Sequence, residues 1–194
     1  MKSMKFIPVF ISLLLLSLSH AFSQSKILMI VDVQKQFYEN KDFETAAAEM
    51  VENINGIIDK TKPENIVYIK ATMQELSISL KGFKAVPVLP APDLDPNLNV
   101  VNNNIFTKTK ADAFSLDELC TFINEHNTKD IIVTGLMAEE CVYSTVKGGL
   151  KKGYNIFIVP EAITGNTPDK KDKAIQKMVK KGAVILPINN LLQK

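Results

Sequence analysis

The sequence predicts a single three-layer α/β domain, with a mostly parallel sheet of about six strands and helices on both faces. Two observations predict it. Short apolar runs rich in Ile and Val recur between segments of helical periodicity, and continuous apolar runs, unlike alternating ones, mark strands buried on both faces. Such strands alternating with helices imply right-handed crossover connections.

The elements follow in chain order. KILMIVDV at 26–33 reads as the first strand, and Thr45 to Lys60 as the first helix. NIVYIK at 65–70 is the next strand. Pro87, Pro90, Pro92 and Pro96 then punctuate the stretch from Val86 to Asn99; proline at that density excludes a central strand or a helix interior, so a loop is expected, placed over the site. VVNNNIFTK at 100–108 is a weaker strand. Leu116 to Glu125 is a helix, DIIVTGL at 130–136 a strand, and Glu139 to Lys152 a helix. NIFIVP at 155–160, a helix from Asp169 to Lys181 and a weak strand AVILPI at 183–188 complete the domain.

The 194 residues are 46% hydrophobic and 23% charged, as in an ordinary globular protein. A formal net charge of +2 gives no ground for nucleic acid as a partner, and the late lysines, from Lys151 to Lys181, read as solvated helix faces. At the N-terminus, Lys2 and Lys5 precede an apolar run from Phe6 through Leu18, with small residues at Ser19, Ala21 and Ser23. That is the pattern of a cleaved signal peptide over 1–23, leaving a domain over 24–194 that is exported to the periplasm or secreted. The run is shorter than the roughly 20 residues of a spanning helix, so no stable membrane insertion is expected after cleavage.

In an open parallel sheet ligands gather at the carboxyl ends of strands, so polar residues there come first. Asp32 closes the first strand, with Gln34 and Phe37 behind it. On the strand pattern alone it also fits a turn or cap acid. Cys141 follows DIIVTGL and opens a helix, where exposed N–H groups and the helix dipole favour thiolate. Glu139 and Glu140 push the other way, so a nearby cation is needed; a lone cysteine at a strand end also fits a small core residue. Lys108 and Lys110 follow a weak strand and are uninformative alone. Cys120, in an apolar-periodic stretch, reads as a buried free thiol, although a bridge to Cys141 is open to an exported protein. Only His126 remains after cleavage, too little for a Ser-His-Asp arrangement or a zinc site.

Taken together, IVDVQKQF at 30–37, TKTKADAF at 107–114 and VTGLMAEECVYSTVKGGLKKGYNIFIVPEAI at 133–163 resemble the isochorismatase-like cysteine hydrolases. The matching positions are Asp32 and Gln34, Lys108 ahead of Ala113 and Phe114, and Gly135 followed six residues later by Cys141 and Val142. The resemblance implies a Rossmann-like fold and a catalytic triad of Cys141, Asp32 and Lys108 that cleaves an amide, ureido or carbamoyl C–N bond of a small molecule through a thioester, without a cofactor or metal. It implies a cis peptide from Leu136 to Met137, an oxyanion hole from the backbone N–H groups of Met137 and Cys141, and a pocket near Gln34, Phe37, Phe114 and Ala138. It also implies a homo-oligomer, dimer or tetramer. Two departures widen the field. The Asp-His-His metal cluster of nicotinamidase-type members has no counterpart, and KATMQELSISLKGF lacks the histidine of isochorismate-cleaving members. Hydrolysis of an isochorismate-type enol ether, or an inactive binding protein of the same fold, are therefore the alternatives.

Overall fold

The computed structural model describes residues 26–79 and 82–193. The expected signal peptide lies outside the described residues. Among those residues, no helix is long and apolar enough to cross a membrane.

Strand β1 (Ile27–Val31) carries five apolar residues in a row and all five are buried. A strand alternates its side chains between faces, so Ile27, Met29 and Val31 enter one hydrophobic cluster while Leu28 and Ile30 enter the other. β1 is therefore a central strand. It pairs in parallel with β2 (Ile66–Ala71) on one side and β6 (Asp130–Gly135) on the other. β5 (Ile105–Lys108) pairs with β2, while β7 (Asn155–Ile163) and β8 (Val184–Ile185) continue beyond β6. The sheet order is β5-β2-β1-β6-β7-β8.

One face is covered by α1 (Glu44–Ile58), whose Ala47, Met50, Val51, Ile54, Ile57 and Ile58 form a buried stripe at helical spacing. The other is covered by α2 (Asp117–Glu125), α3 (Tyr143–Lys151) and α4 (Pro168–Lys180) through Leu119, Ile123, Val146, Ala174, Ile175 and Met178. Pro168 sits in the first turn of α4, and Thr167 caps it by accepting from Lys170 N at 3.2 Å. A short α5 (Asn189–Leu192) ends the fold.

The stretch from Val86 to Asn99 departs from expectation. Residues 86–88 belong to β4 (Gly82–Val88), which pairs antiparallel with β3 (Met73–Ser79) as a separate two-stranded sheet. Pro87 stands opposite Gln74 in this ribbon. A two-stranded ribbon has two open edges, where a residue without an N–H is tolerated. The remaining loop is fastened beside the end of β1: Asp95 N donates to Val33 O at 2.9 Å, Tyr38 Oη donates to Asp95 Oδ2, and Lys70 pairs with Asp93 at 3.0 Å.

The switch point lies between β1 and β6, where chain connections leave in opposite directions. Val31 stands opposite Gly135, and Leu136 N donates to Val31 O at 3.0 Å. Gly135 has φ of +109°, and a Cβ there would lie 2.1 Å from Val31 O. Gly135→Ala is therefore expected to destabilise the fold by more than about 3 kcal/mol, read as a fall in Tm of roughly 6–12 °C. A Tm within two degrees of the parent would contradict this close approach.

Candidate active site

Three elements deliver the three side chains. Asp32 follows β1 with φ of +57°, a left-handed conformation that its short polar side chain tolerates better than most. Its N–H donates to Ile69 O at 2.9 Å, which ties it to β2. Lys108 ends β5 opposite Ala71, and its carbonyl accepts from Thr72 N at 3.0 Å. Cys141 lies in a π-helical turn, Ala138–Val142, between β6 and α3. Such turns widen a helix and are frequent at functional sites. This one is fixed by Val142 N donating to Met137 O at 3.2 Å and by Ala138 N donating to Thr164 O at 2.8 Å.

Lys108 Nζ lies 2.8 Å from Asp32 Oδ2 and donates to Cys141 Sγ at 3.2 Å. Lys108 is 1% exposed and Asp32 3% exposed. A buried amine survives only with partners, and these two are its partners. Asp32 Oδ1 is buried with no hydrogen-bond partner among the described residues, which leaves one carboxylate oxygen able to receive a proton.

Burial raises the Asp32 carboxyl above the 3.8 of a free aspartate, against the opposing effect of Lys108. Burial also pushes the Cys141 thiol up to about 12, with Asp32 adding to the rise and Lys108 opposing it. Burial thus opposes the thiolate that the helix start favours, and Lys108 is the group that counters it. The opposing acid differs from expectation. Glu139 turns aside, its Oε1 accepting from Asn166 N at 3.1 Å and Asn166 Nδ2 at 2.9 Å, while Glu140 is exposed.

A cavity of about 400 Å³ opens on this cluster, lined by Phe37, Thr72, Met73, Gln74, Met137 and Cys141 among others. Phe37 is thus brought to the site. Gln34, Phe114 and Ala138 are not. Gln34 is fully buried, its amide donating to Ala71 O (3.0 Å) and Pro92 O (2.8 Å) and accepting from Ala71 N (2.7 Å). It clamps the end of β2. Phe114 stacks on Tyr154 at 5.1 Å, and Ala138 is buried in the core. Nor does the proline-rich loop line the cavity; Met73 and Gln74 at the start of β3 do so instead. A larger cavity, about 710 Å³, lies between α1 and the start of α4; it shares Asn166 with the first but is not lined by Cys141.

The peptide between Leu136 and Met137 is cis, and both residues line the cavity. Cys120 and Cys141 are both free thiols, and Cys120 Sγ donates to Phe114 O at 3.7 Å. His126 lies at the end of α2, with Nδ1 2.8 Å from Phe122 O. Among the described residues, no group of three or more His, Cys, Asp or Glu side chains is arranged to hold a metal, so the donor set does not fit a zinc site.

A half-buried thiol beside a buried carboxylate and amine thus stands at the switch point of a parallel sheet in an α/β fold. The chain belongs to the isochorismatase family, whose domain model matches residues 26–190. It is similar to the secreted isochorismatase effector Isc1 of Verticillium dahliae, 24% identical over 75% of each chain. An isochorismatase-like hydrolase from Alkaliphilus metalliredigens shares the fold with a TM-score of 0.71 at 14% identity, covering 87% of this chain and 98% of that one. The pyrazinamidase of Pyrococcus horikoshii, solved with zinc, gives a TM-score of 0.66 at 19% identity, covering 84% and 99%. The family makes this chain an isochorismatase-like hydrolase.

Proposed function

We propose that the protein cleaves the C–N bond of a small amide, ureido or carbamoyl compound, with Cys141 as nucleophile. The observation that carries this reading is Lys108 Nζ bridging Asp32 and Cys141 at 2.8 and 3.2 Å in a buried site. That the similar Pyrococcus protein is a pyrazinamidase supports an amide as the bond cleaved.

Asp32 takes the thiol proton as sulfur attacks the carbonyl carbon. The transfer leaves the net charge of the pair unchanged. Lys108 stabilises whichever partner carries the negative charge, so a thiol that resists free ionisation can still react. The C–N bond then breaks, and Asp32 returns the proton to the departing nitrogen. Water next attacks the thioester, Asp32 takes a proton from it, and as the C–S bond breaks Asp32 returns that proton to Cys141 Sγ, releasing the acid as product and restoring the resting site. The backbone N–H groups of Met137 and Cys141 serve the oxyanion, a donor pair of which each member is typically worth about 10²–10³ in rate.

The base must be ionised in the resting enzyme, which fixes the pH dependence. Because Asp32 is raised above 3.8, kcat/KM is expected to fall on acidification with an acid limb above that value. Because burial pushes the thiol up to about 12, no alkaline limb from Cys141 is expected below pH 10. A pH–rate profile reads both, and an acid limb at or below 3.8 would count against Asp32 as base. The raised Asp32 carboxyl also favours a second reading, general-acid hydrolysis of an enol ether. Alkylation of the thiol separates the two, since enol-ether cleavage needs the acid and not the sulfur.

Two further parts of the proposal rest on the chain's periphery. Export is supported by the Lys2, Lys5 and Phe6 through Leu18 pattern and by the secreted Verticillium relative, and N-terminal sequencing of the protein recovered outside the cytoplasm tests it. A homo-oligomer, dimer or tetramer, is supported by the β3–β4 ribbon, which joins no other sheet among the described residues although it lines the cavity. Light scattering tests it, and a monomer mass would refute it.

A further inference from the structure

Asn166 lies on the wall of the cavity beside Met137, Glu140 and Cys141, in the turn that precedes α4. Backbone and side-chain contacts hold this turn in place. Thr164 N donates to Gly135 O at 3.2 Å and Thr164 O accepts from Ala138 N, so this turn is tied to both ends of the segment that carries the cis peptide. Glu139, two residues before the nucleophile, then takes the Asn166 backbone N–H and side-chain Nδ2 on the same oxygen, at 3.1 and 2.9 Å. The other Glu139 oxygen is buried against Gly165, where a Cβ would come within 2.6 Å of it.

A carboxylate only accepts hydrogen bonds. It therefore fixes which way the Asn166 carboxamide faces, with nitrogen toward Glu139 and oxygen away. Asn166 Oδ1 accepts no hydrogen bond from any described residue, and it is not among the buried atoms left without a partner. An acceptor with no protein partner thus belongs to a residue that shares the cavity wall with Cys141. Resting on the reading of Cys141 as nucleophile, we propose that Asn166 is a specificity-determining residue whose Oδ1 accepts a hydrogen bond from the N–H of the substrate's amide or ureido group. The site then selects N–H-bearing amides over their N,N-dialkylated counterparts. The contact strengthens as the C–N bond breaks, because the nitrogen gains a proton and becomes a better donor. A site built around an acceptor discriminates well against a ligand that leaves it unpaired.

The test needs no known substrate. The full chain is treated with iodoacetamide and, separately, with N,N-dimethyl-iodoacetamide, and the rate of Cys141 alkylation is followed by peptide mass mapping. Each rate is divided by that of glutathione with the same reagent. The parent is expected to prefer iodoacetamide by about tenfold after this correction. Asn166→Ala and Asn166→Leu are expected to bring the ratio to about one, and Glu139→Gln, which frees the carboxamide to turn over, to an intermediate value. Thermal melts of the variants report folding. A parent ratio near one, or an unchanged ratio in a folded Asn166→Ala, overturns the assignment of Asn166 while leaving Cys141 as nucleophile. A parent whose Cys141 resists both reagents overturns the nucleophile reading and this inference together.

Discussion

Replacing Cys141 with alanine is expected to reduce hydrolysis of any accepted amide by about 10⁴-fold or more while leaving the fold in place. The size of the effect comes from the division of labour at the site. Asp32 and Lys108 act on the sulfur, at the end of a 3.2 Å contact, and neither can form the acyl bond in its absence. Cys141→Ser is the sharper variant because it keeps the size and the proton. A serine hydroxyl is harder to ionise than a thiol, and Asp32 would have to activate it in the same buried setting, so the loss should approach that of alanine. Ammonia release from a panel of small primary amides and ureido compounds reads both variants, and a serine or alanine variant as fast as the parent would remove the nucleophile.

The second large effect is expected at Lys108. Lys108→Met keeps the volume and removes the charge, leaving the 3% exposed Asp32 without its ion-pair partner. Breaking a buried pair from one side typically costs about 3–5 kcal/mol. Activity should fall about 10²–10⁴-fold, since the main offset to the burial that raises both Asp32 and Cys141 would be gone. The sign of the pH dependence follows. Asp32 in the variant is raised further in the folded state, so its contribution to stability is full below the unfolded value of about 3.9 and is lost as pH rises through the folded value. The stability deficit against the parent should therefore widen from pH 5 to pH 8, as urea denaturation at the two pH values would show. Adding Asp32→Asn should narrow the deficit at pH 8 without restoring turnover. A Lys108→Met variant equally stable at both pH values and fully active would contradict the role of the amine.

How far the sequence anticipated this molecule depended on where each residue's partners lie. The strands of the main sheet were legible because burial on both faces leaves a local signature, and β1 carries it without interruption over five residues. Asp32 and Cys141 were legible as positions after strands, since the parallel topology brings those ends to one edge, whereas Lys108 stood out only through the family resemblance. Residues 86–88 of β4 were read as loop because Pro87 looked like a strand breaker, a rule that holds for central strands and not for a ribbon with open edges, and β3 drew no reading at all. Gln34 was placed in the pocket through the family resemblance. Its partners, the backbone of Ala71 and Pro92, are 37 and 58 residues away and could not be read from neighbours.

The electrostatics were least legible. Glu139 and Glu140 flank Cys141 in the chain and looked like the acids opposing thiolate, yet the acid that acts on the sulfur is Asp32, delivered from the next strand of the sheet. Glu139 is instead engaged with Asn166, which drew no notice because it sits in an ordinary turn before the Thr167 cap. Only the fold showed that the turn borders the thiol.

The most direct measurement is a parallel titration of thiol and activity. Protein turning over an accepted amide is treated with limiting iodoacetamide, the alkylated fraction of Cys141 is mapped by mass spectrometry, and ammonia release is recorded on the same samples. A rate that falls in direct proportion to modified Cys141, whatever the state of Cys120, is the predicted result. Ammonia released at the full rate by protein whose Cys141 is wholly alkylated would contradict the account.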